Sequence, residues 1–174
     1  MKVIGFCGYA KSGKDTAAQV LIEEGWIRVA FADALKDDLF WLMQRHETGV
    51  SRDWFIRNKE PLRPLLVEYG RAMRSVNPGH WTDRVRFRLA AAAAAGDRCV
   101  ITDVRYVNEA AMIREMGGMV IRVERVGVAP ANAEEASSMQ GFEPDAVLPN
   151  LGTIEHLHEA VLQYVGEGST SCPT

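Results

Sequence analysis

The stretch KVIGFCGYAKSGKDTAA, residues 2–18, decides the fold. Residues 2–7 (KVIGFC) form a short apolar run rich in β-formers that reads as a buried strand and ends at Gly8, where a glycine-containing loop opens. From Gly13 to Glu24 the apolar Ala17, Val20 and Leu21 recur at helical spacing, and Gly25 supplies a stop. Strand, loop and helix thus follow in order, with Gly8-x-x-x-x-Gly13-Lys14 between them. The physical parts of a phosphate-binding loop are all present. Glycines let the chain curl so that the amides of Lys11, Ser12 and Gly13 point inward, and the helix N-terminus favours an anion. Lys14 is then expected to reach the β and γ phosphates. The competing reading is a glycine turn that happens to join a strand to a helix.

Asp15 stands where the loop pattern calls for Ser or Thr. A hydroxyl ligates Mg²⁺ without adding charge; a carboxylate is a harder ligand but repels phosphate oxygens. Two like charges about 4 Å apart cost on the order of 4 kcal/mol at an effective dielectric near 20. Bound Mg²⁺, the Lys14 ammonium and the positive helix end offset that cost. Asp15 is therefore expected to ligate Mg²⁺ directly or through its water, the alternative being a charge that merely suits a helix N-terminus. Thr16, one helical step of about 100° further on, is assigned to the α-phosphate.

Working outward, residues 27–31 are a second strand candidate and residues 34–43 an amphipathic helix. Residues 45–60 are polar without a clear period and read as an irregular excursion. Pro61 suits a helix start, and the helix is expected to run to about Val76, before Asn77, Pro78 and Gly79 break it. Residues 81–95 are a further helix, 99–102 (CVIT) a buried strand, 108–116 a helix and 119–123 a strand after the Gly117-Gly118 turn. Residues 126–142 have weak periodicity and many small residues, which suits a mobile loop or short lid helix. A strand at 146–148 and a helix at 153–165, capped by Thr153, close the domain. Residues 166–174 read as a flexible tail. Five short apolar strands alternating with helices imply a three-layer α/β fold, a five-stranded parallel sheet with helices on both faces.

The 174 residues, 47% apolar and 25% charged, suit one domain over residues 1–165, with a helical region at 32–97 and a lid at 126–142. A net charge of −3 argues against a nucleic-acid binder that depends on a broad basic field. The charge is unevenly placed: every Lys and Arg lies at or before Arg125, and only acids follow. Cations for an anionic ligand must come from the first 125 residues. Cys7, Cys99 and Cys172 are odd in number and scattered, which fits a reducing cytoplasm. No leader pattern and no apolar run of about 18 residues is present, so neither secretion nor a membrane partner is expected.

A second acid should end another core strand, and Asp103 follows CVIT at the sheet edge where ligands of open α/β sheets gather. It reads as the second acid on the Mg²⁺ side, and Arg105 as a group for the acceptor phosphate or the transferred phosphoryl. A surface Asp-Arg pair at a strand end is the bland alternative. Arg71 and Arg74, three apart, with Arg63 two turns earlier, can form a basic wall for an acceptor phosphate or a solvated basic face. Trp81 can stack on an acceptor base or pack in the core. The four histidines show no ligand or triad spacing.

SGKDTAA in the loop, FADALK at 31–36, DVRYVNEAAMIREMGGMVIRVER at 103–125 and PNLGTIEHL at 149–157 together resemble the bacteriophage deoxynucleoside monophosphate kinase family. The loop and the DVR-x-x-N-E segment are its specific parts. The resemblance implies a P-loop nucleoside monophosphate kinase-like fold and transfer of the ATP γ-phosphate onto a deoxynucleoside monophosphate. It implies that Gly8, Lys11, Ser12, Gly13 and Lys14 hold ATP, that Asp15 and Asp103 serve Mg²⁺, and that Arg105 faces the acceptor. Phe31, Asp33 and Lys36 stand where the family begins its monophosphate site. Val67 occupies a position where the family often has glutamine. A homodimer, and a host cytoplasm for a phage-encoded chain, are in keeping with the resemblance.

Phosphoryl transfer is positioning plus neutralisation of charge. Because residues 126–142 hold no basic side chain, the lid is expected to shield the site or touch the nucleoside, and Arg125 at its hinge to supply charge with the body arginines. Two rivals stand beside this reading. A phosphomevalonate-type kinase has a similar SGKD loop. A guanine-nucleotide switch would read its base with N-K-x-D, but the nearest match, Asn58-Lys59-Glu60-Pro61, ends in proline and precedes the Asp103 strand.

Overall fold

The computed structural model describes residues 3–46 and 49–167. Five parallel strands, β1 (Val3–Cys7), β2 (Ile27–Val29), β3 (Cys99–Ile101), β4 (Met119–Glu124) and β5 (Ala146–Pro149), lie in the order β2-β3-β1-β4-β5. Every β1 residue is buried, because a central parallel strand is covered on both faces. Its side chains alternate: Ile4 and Phe6 join one apolar cluster, Val3 and Cys7 the other. On the first face lie α1 (Lys14–Glu23) and α8 (Ile154–Glu167), which contribute Ala17, Ala18, Leu21, Leu157 and Val161. On the second lie α5 (His80–Ala94) and α6 (Val107–Glu115), with Val85, Leu89, Ala110, Met112 and Ile113. Fully burying each such Leu, Ile, Val or Phe contributes roughly 1.5–3 kcal/mol, so these two layers fix the sheet.

The register sets Gly5 of β1 between Ile101 of β3 and Val120 of β4. The carboxyl ends of β1 and β3 are therefore neighbours, and the Gly8 loop and Asp103 emerge side by side. Above this edge stand α2 (Phe31–His46), α3 (Arg52–Arg57), α4 (Lys59–Val76) and, between β4 and β5, α7 (Ala133–Gln140).

Three differences from the sequence reading have local causes. The expected irregular excursion holds α3, whose N-cap Ser51 accepts from Trp54 N at 3.1 Å and whose Phe55 is buried beside Leu39, Phe40 and Leu66. Six residues are too few to show a helical period. β2 stops at Val29, and α2 starts at Phe31, because a side chain from another strand caps it, as described below. α8 runs on to Glu167, two residues into the expected tail; residues 168–174, with Cys172, lie outside the described part. Residues 126–142 resolve into a short helix after an exposed turn, and Cys7 and Cys99 are free, buried thiols. Among the described residues no helix is long and apolar enough to cross a membrane.

Candidate active site

The Gly8–Lys14 loop leaves β1 through three left-handed residues, Gly8 (φ 135°), Lys11 (φ 66°) and Gly13 (φ 107°). The glycines are required twice over. A Cβ at Gly8 would lie 2.5 Å from the Val123 carbonyl oxygen, and one at Gly13 would lie 2.5 Å from Asn150 Nδ2. Asn150, in the PNLG segment after β5, braces the loop by donating from Nδ2 to the Ser12 carbonyl at 2.9 Å. Lys14 Nζ donates to the Gly8 and Tyr9 carbonyls, each at 2.8 Å. Partial burial and the neighbouring Arg105 charge hold its ammonium pKa below the usual lysine value, with Asp15 and Glu135 opposing. Asp15 is exposed in the first turn of α1, and Thr16 is half-buried. His158 Nε2 lies 3.0 Å from the Thr16 carbonyl, which ties α8 to α1.

Asp103 leaves β3 and turns both carboxylate oxygens onto the start of α2. Phe31 N donates to Oδ1 at 2.9 Å and Ala32 N to Oδ2 at 2.8 Å. This tertiary cap is why α2 begins earlier than its own sequence suggests. Burial pushes the Asp103 carboxyl up; the two amides pull it back only in part.

Beside Asp103 opens a cavity of about 450 Å³. Phe31, Leu35 and Lys36 of α2 form one wall, Lys59, Arg63, Leu66, Val67, Gly70 and Arg74 of α4 another. Arg105, Tyr106 and Glu109 line it from the start of α6, and Asn132, Glu135 and Ser138 from α7 and its N-cap. At about 100° per residue the α4 members fall within an arc of about 100°, and Arg71 lies about 40° outside it. Arg71 accordingly sits off the cavity and pairs with Glu68 at 2.7 Å, a correction to the expected trio of arginines. Asp33 is likewise outside the lining, bridged to Arg28 at 2.6 Å and Lys36 at 2.9 Å. Partial burial pushes its carboxyl up, and those two cations more than reverse the effect. Trp81 packs in the core, one of the two places weighed for it, with an edge on the cavity. It is buried, donating from Nε1 to the Gly70 carbonyl at 3.2 Å. Arg125 lines a separate cavity of about 440 Å³ on the other side of the loop, with Gly8, Tyr9, Ser12, Arg122, Gln140 and Glu143.

Two carboxyl side chains had no role in the sequence reading: Glu109, the last residue of the DVR-x-x-N-E segment, and Glu135. Glu109 Oε2 accepts from Arg105 N at 2.7 Å and Tyr106 N at 3.1 Å, so it fixes the backbone that carries Arg105. Burial pushes it up to about 8. Glu135 accepts from Ala10 N in the phosphate loop at 2.8 Å and from Ala131 N at 2.7 Å. Both lie three residues after a helix cap, Tyr106 and Asn132, and that spacing was the readable signal.

Among the described residues no three His, Cys, Asp or Glu converge on a metal-binding point. Five cations against three carboxyls line this cavity, an excess that suits an anion.

No family model matches the chain. A protein of Acanthamoeba polyphaga mimivirus named "Putative deoxynucleotide monophosphate kinase" is 30% identical over 192 residues, covering 97% of this chain and 98% of that one. Among solved structures, TT1252 from Thermus thermophilus aligns with a TM-score of 0.56 at 19% identity, over 97% of this chain and 98% of the other. A dephospho-CoA kinase from Campylobacter jejuni aligns with a TM-score of 0.57 at 12% identity over the same shares. These two share the fold. The mimivirus relative carries the family, though not a bacteriophage source. Its likeness runs almost end to end through both chains, and here it falls on a curled glycine loop beside a cationic cavity: the chain belongs to the same family of P-loop kinases as the mimivirus protein.

Proposed function

We propose that this kinase moves the γ-phosphoryl group of ATP onto the 5′-phosphate of a deoxynucleoside monophosphate. The observation that carries the reading is the cavity next to the loop. Its lining joins Lys36, Lys59, Arg63, Arg74 and Arg105 to the aromatic Phe31, Trp81 and Tyr106. Cations suit a dianionic phosphate, and aromatic walls suit a flat base. The mimivirus relative's name points to the same acceptor class.

The chemistry is a displacement. An acceptor phosphate oxygen forms a bond to the γ-phosphorus, the bond from that phosphorus to the β–γ bridging oxygen breaks, and ADP leaves with the electron pair. Loop amides and Lys14 hold the donor, Arg63 and Arg74 the acceptor phosphate, and Arg105 the group in transit. Arg125, across the loop, adds charge on the donor side. Asp15 and Asp103 fit Mg²⁺, which is usually held by one or two carboxylates together with substrate phosphates and water. Asp15 is open to solvent, and each Asp103 oxygen retains a lone pair beyond its amide bond. Bound there, Mg²⁺ would neutralise phosphate charge.

Mevalonate phosphate, the acceptor of the rival reading, would also suit the cations but has no flat base to set against the aromatic residues. ADP release measured with the four deoxynucleoside monophosphates, their ribonucleotide counterparts and mevalonate phosphate tests the choice. Turnover with at least one deoxynucleotide is expected. Turnover with mevalonate phosphate alone would overturn the proposal.

A further inference from the structure

The Glu135 contact has no part in the reaction just described. Its side chain is buried, 7% exposed, although it belongs to a short helix whose neighbours are mostly open to solvent. One oxygen takes the Ala10 amide of the phosphate loop, and the other takes Ala131 N at the lid entrance. The same side chain lines the acceptor cavity. Glu135 thus sits where the loop and the cavity meet, and a phosphoryl group passing from donor to acceptor must cross that boundary. A carboxylate on a loop amide also makes the kind of bond that a phosphate oxygen would make there.

Resting on the kinase reading above, we propose that Glu135 is a built-in competitor for the terminal phosphate of the donor. It holds the lid down on the loop and must be expelled before a triphosphate seats fully. Two negative groups cannot share the Ala10 amide, so a triphosphate meets the competition directly, whereas a diphosphate ends one phosphate short of it. The lid is built to yield. Phe142, 8% exposed, anchors its far end, and Arg122 donates to the Phe142 carbonyl at 3.2 Å. The near end runs through Gly127 and the exposed Val126. Expelling Glu135 therefore swings α7 about a fixed base without disturbing the core.

The opposing explanation is a plain structural brace, and it predicts the opposite sign. Were Glu135 only a strut that keeps a useful lid in place, its loss would weaken nucleotide binding. Calorimetric titration of the full chain with ATP and with ADP, for wild type, Glu135→Gln and Glu135→Ala, separates the two. Removal of one charge-assisted competitor is expected to tighten ATP about tenfold in both variants and to change ADP less than about threefold. Unchanged or weaker ATP binding in folded variants, or equal tightening of ATP and ADP, overturns the proposal and leaves the kinase reading intact. Failure of every form, wild type included, to bind ATP overturns both.

Discussion

Replacing Asp103 with Asn separates two jobs of one side chain, the helix cap seen in the structure and the metal role proposed above. As it stands, Asp103 accepts the Phe31 and Ala32 amides with its two oxygens, at 2.9 and 2.8 Å. Asn is nearly the same size but has one acceptor oxygen, and its amide group would face the other N–H. One charge-assisted bond is lost, about 1.5–3 kcal/mol, and a buried donor is left without a partner, for a total of about 2–4 kcal/mol. The lost interaction with the positive end of α2 is part of the same sum. For a chain of this size each kcal/mol moves Tm by about 2–4 °C, so a drop of about 5–15 °C is expected.

Urea unfolding followed by tryptophan fluorescence reads this directly, because Trp26 and Trp81 are buried in the two main clusters. An unchanged midpoint would refute the capping argument. The second job shows in the Mg²⁺ titration of turnover at a temperature where both proteins are folded. If Asp103 serves the metal, the variant needs more Mg²⁺ for half-maximal rate; an identical titration curve would leave Asp103 as a cap alone.

Three further outcomes follow from the same geometry. Arg63→Ala and Arg74→Ala should each raise the acceptor KM about tenfold or more with little change in the ATP KM, whereas Arg71→Ala, off the cavity and paired with Glu68, should stay within about twofold in steady-state kinetics. Arg125→Ala should lower turnover, and full turnover would show that charge beyond the loop is not needed. Glu109, held up to about 8 against its ordinary 4.5, keeps its proton on folding, so its contribution is complete below about pH 4.5 and is lost as pH rises toward 8. Wild type should thus lose stability relative to Glu109→Gln by up to about 1.4 kcal/mol per pH unit across that window, and parallel urea midpoints from pH 5 to 8 would refute it.

The loop, the sheet and most of the helices were legible because each rests on local pattern. VIGFC is apolar throughout and is buried, Gly8 and Gly13 are forced by the curl, and α1 shows its apolar stripe within ten residues. What was not legible depends on contacts between distant segments. The start of α2 is set by a carboxylate 72 residues away, which no window around Phe31 contains. Arg71 and Arg74 look equivalent on a helical wheel until the position of the cavity is known; Gly70 and Trp81 decide it, because the Trp81 indole bonds the Gly70 carbonyl and turns that face inward. Lys59, within a segment that reads as loop, becomes part of the cavity wall once Asn58 starts α4.

The charge asymmetry of the chain acquires a physical sense in this arrangement. All the cations that line the cavity come from α2, α4 and the start of α6, and among the described residues α7 and its N-cap bring Asn132, Glu135 and Ser138. An arginine on the lid would be drawn to a bound phosphate and would favour closure over donor and acceptor alike. An acid on the lid does the reverse: it is attracted by the loop amides and Lys14, and repelled by the substrate that displaces it. On the proposed function, Asn132 and Ser138 are then the neutral groups that this segment offers to the cavity. On that proposal the cations that serve transfer stand on α2, α4 and the start of α6, apart from the segment that carries Glu135.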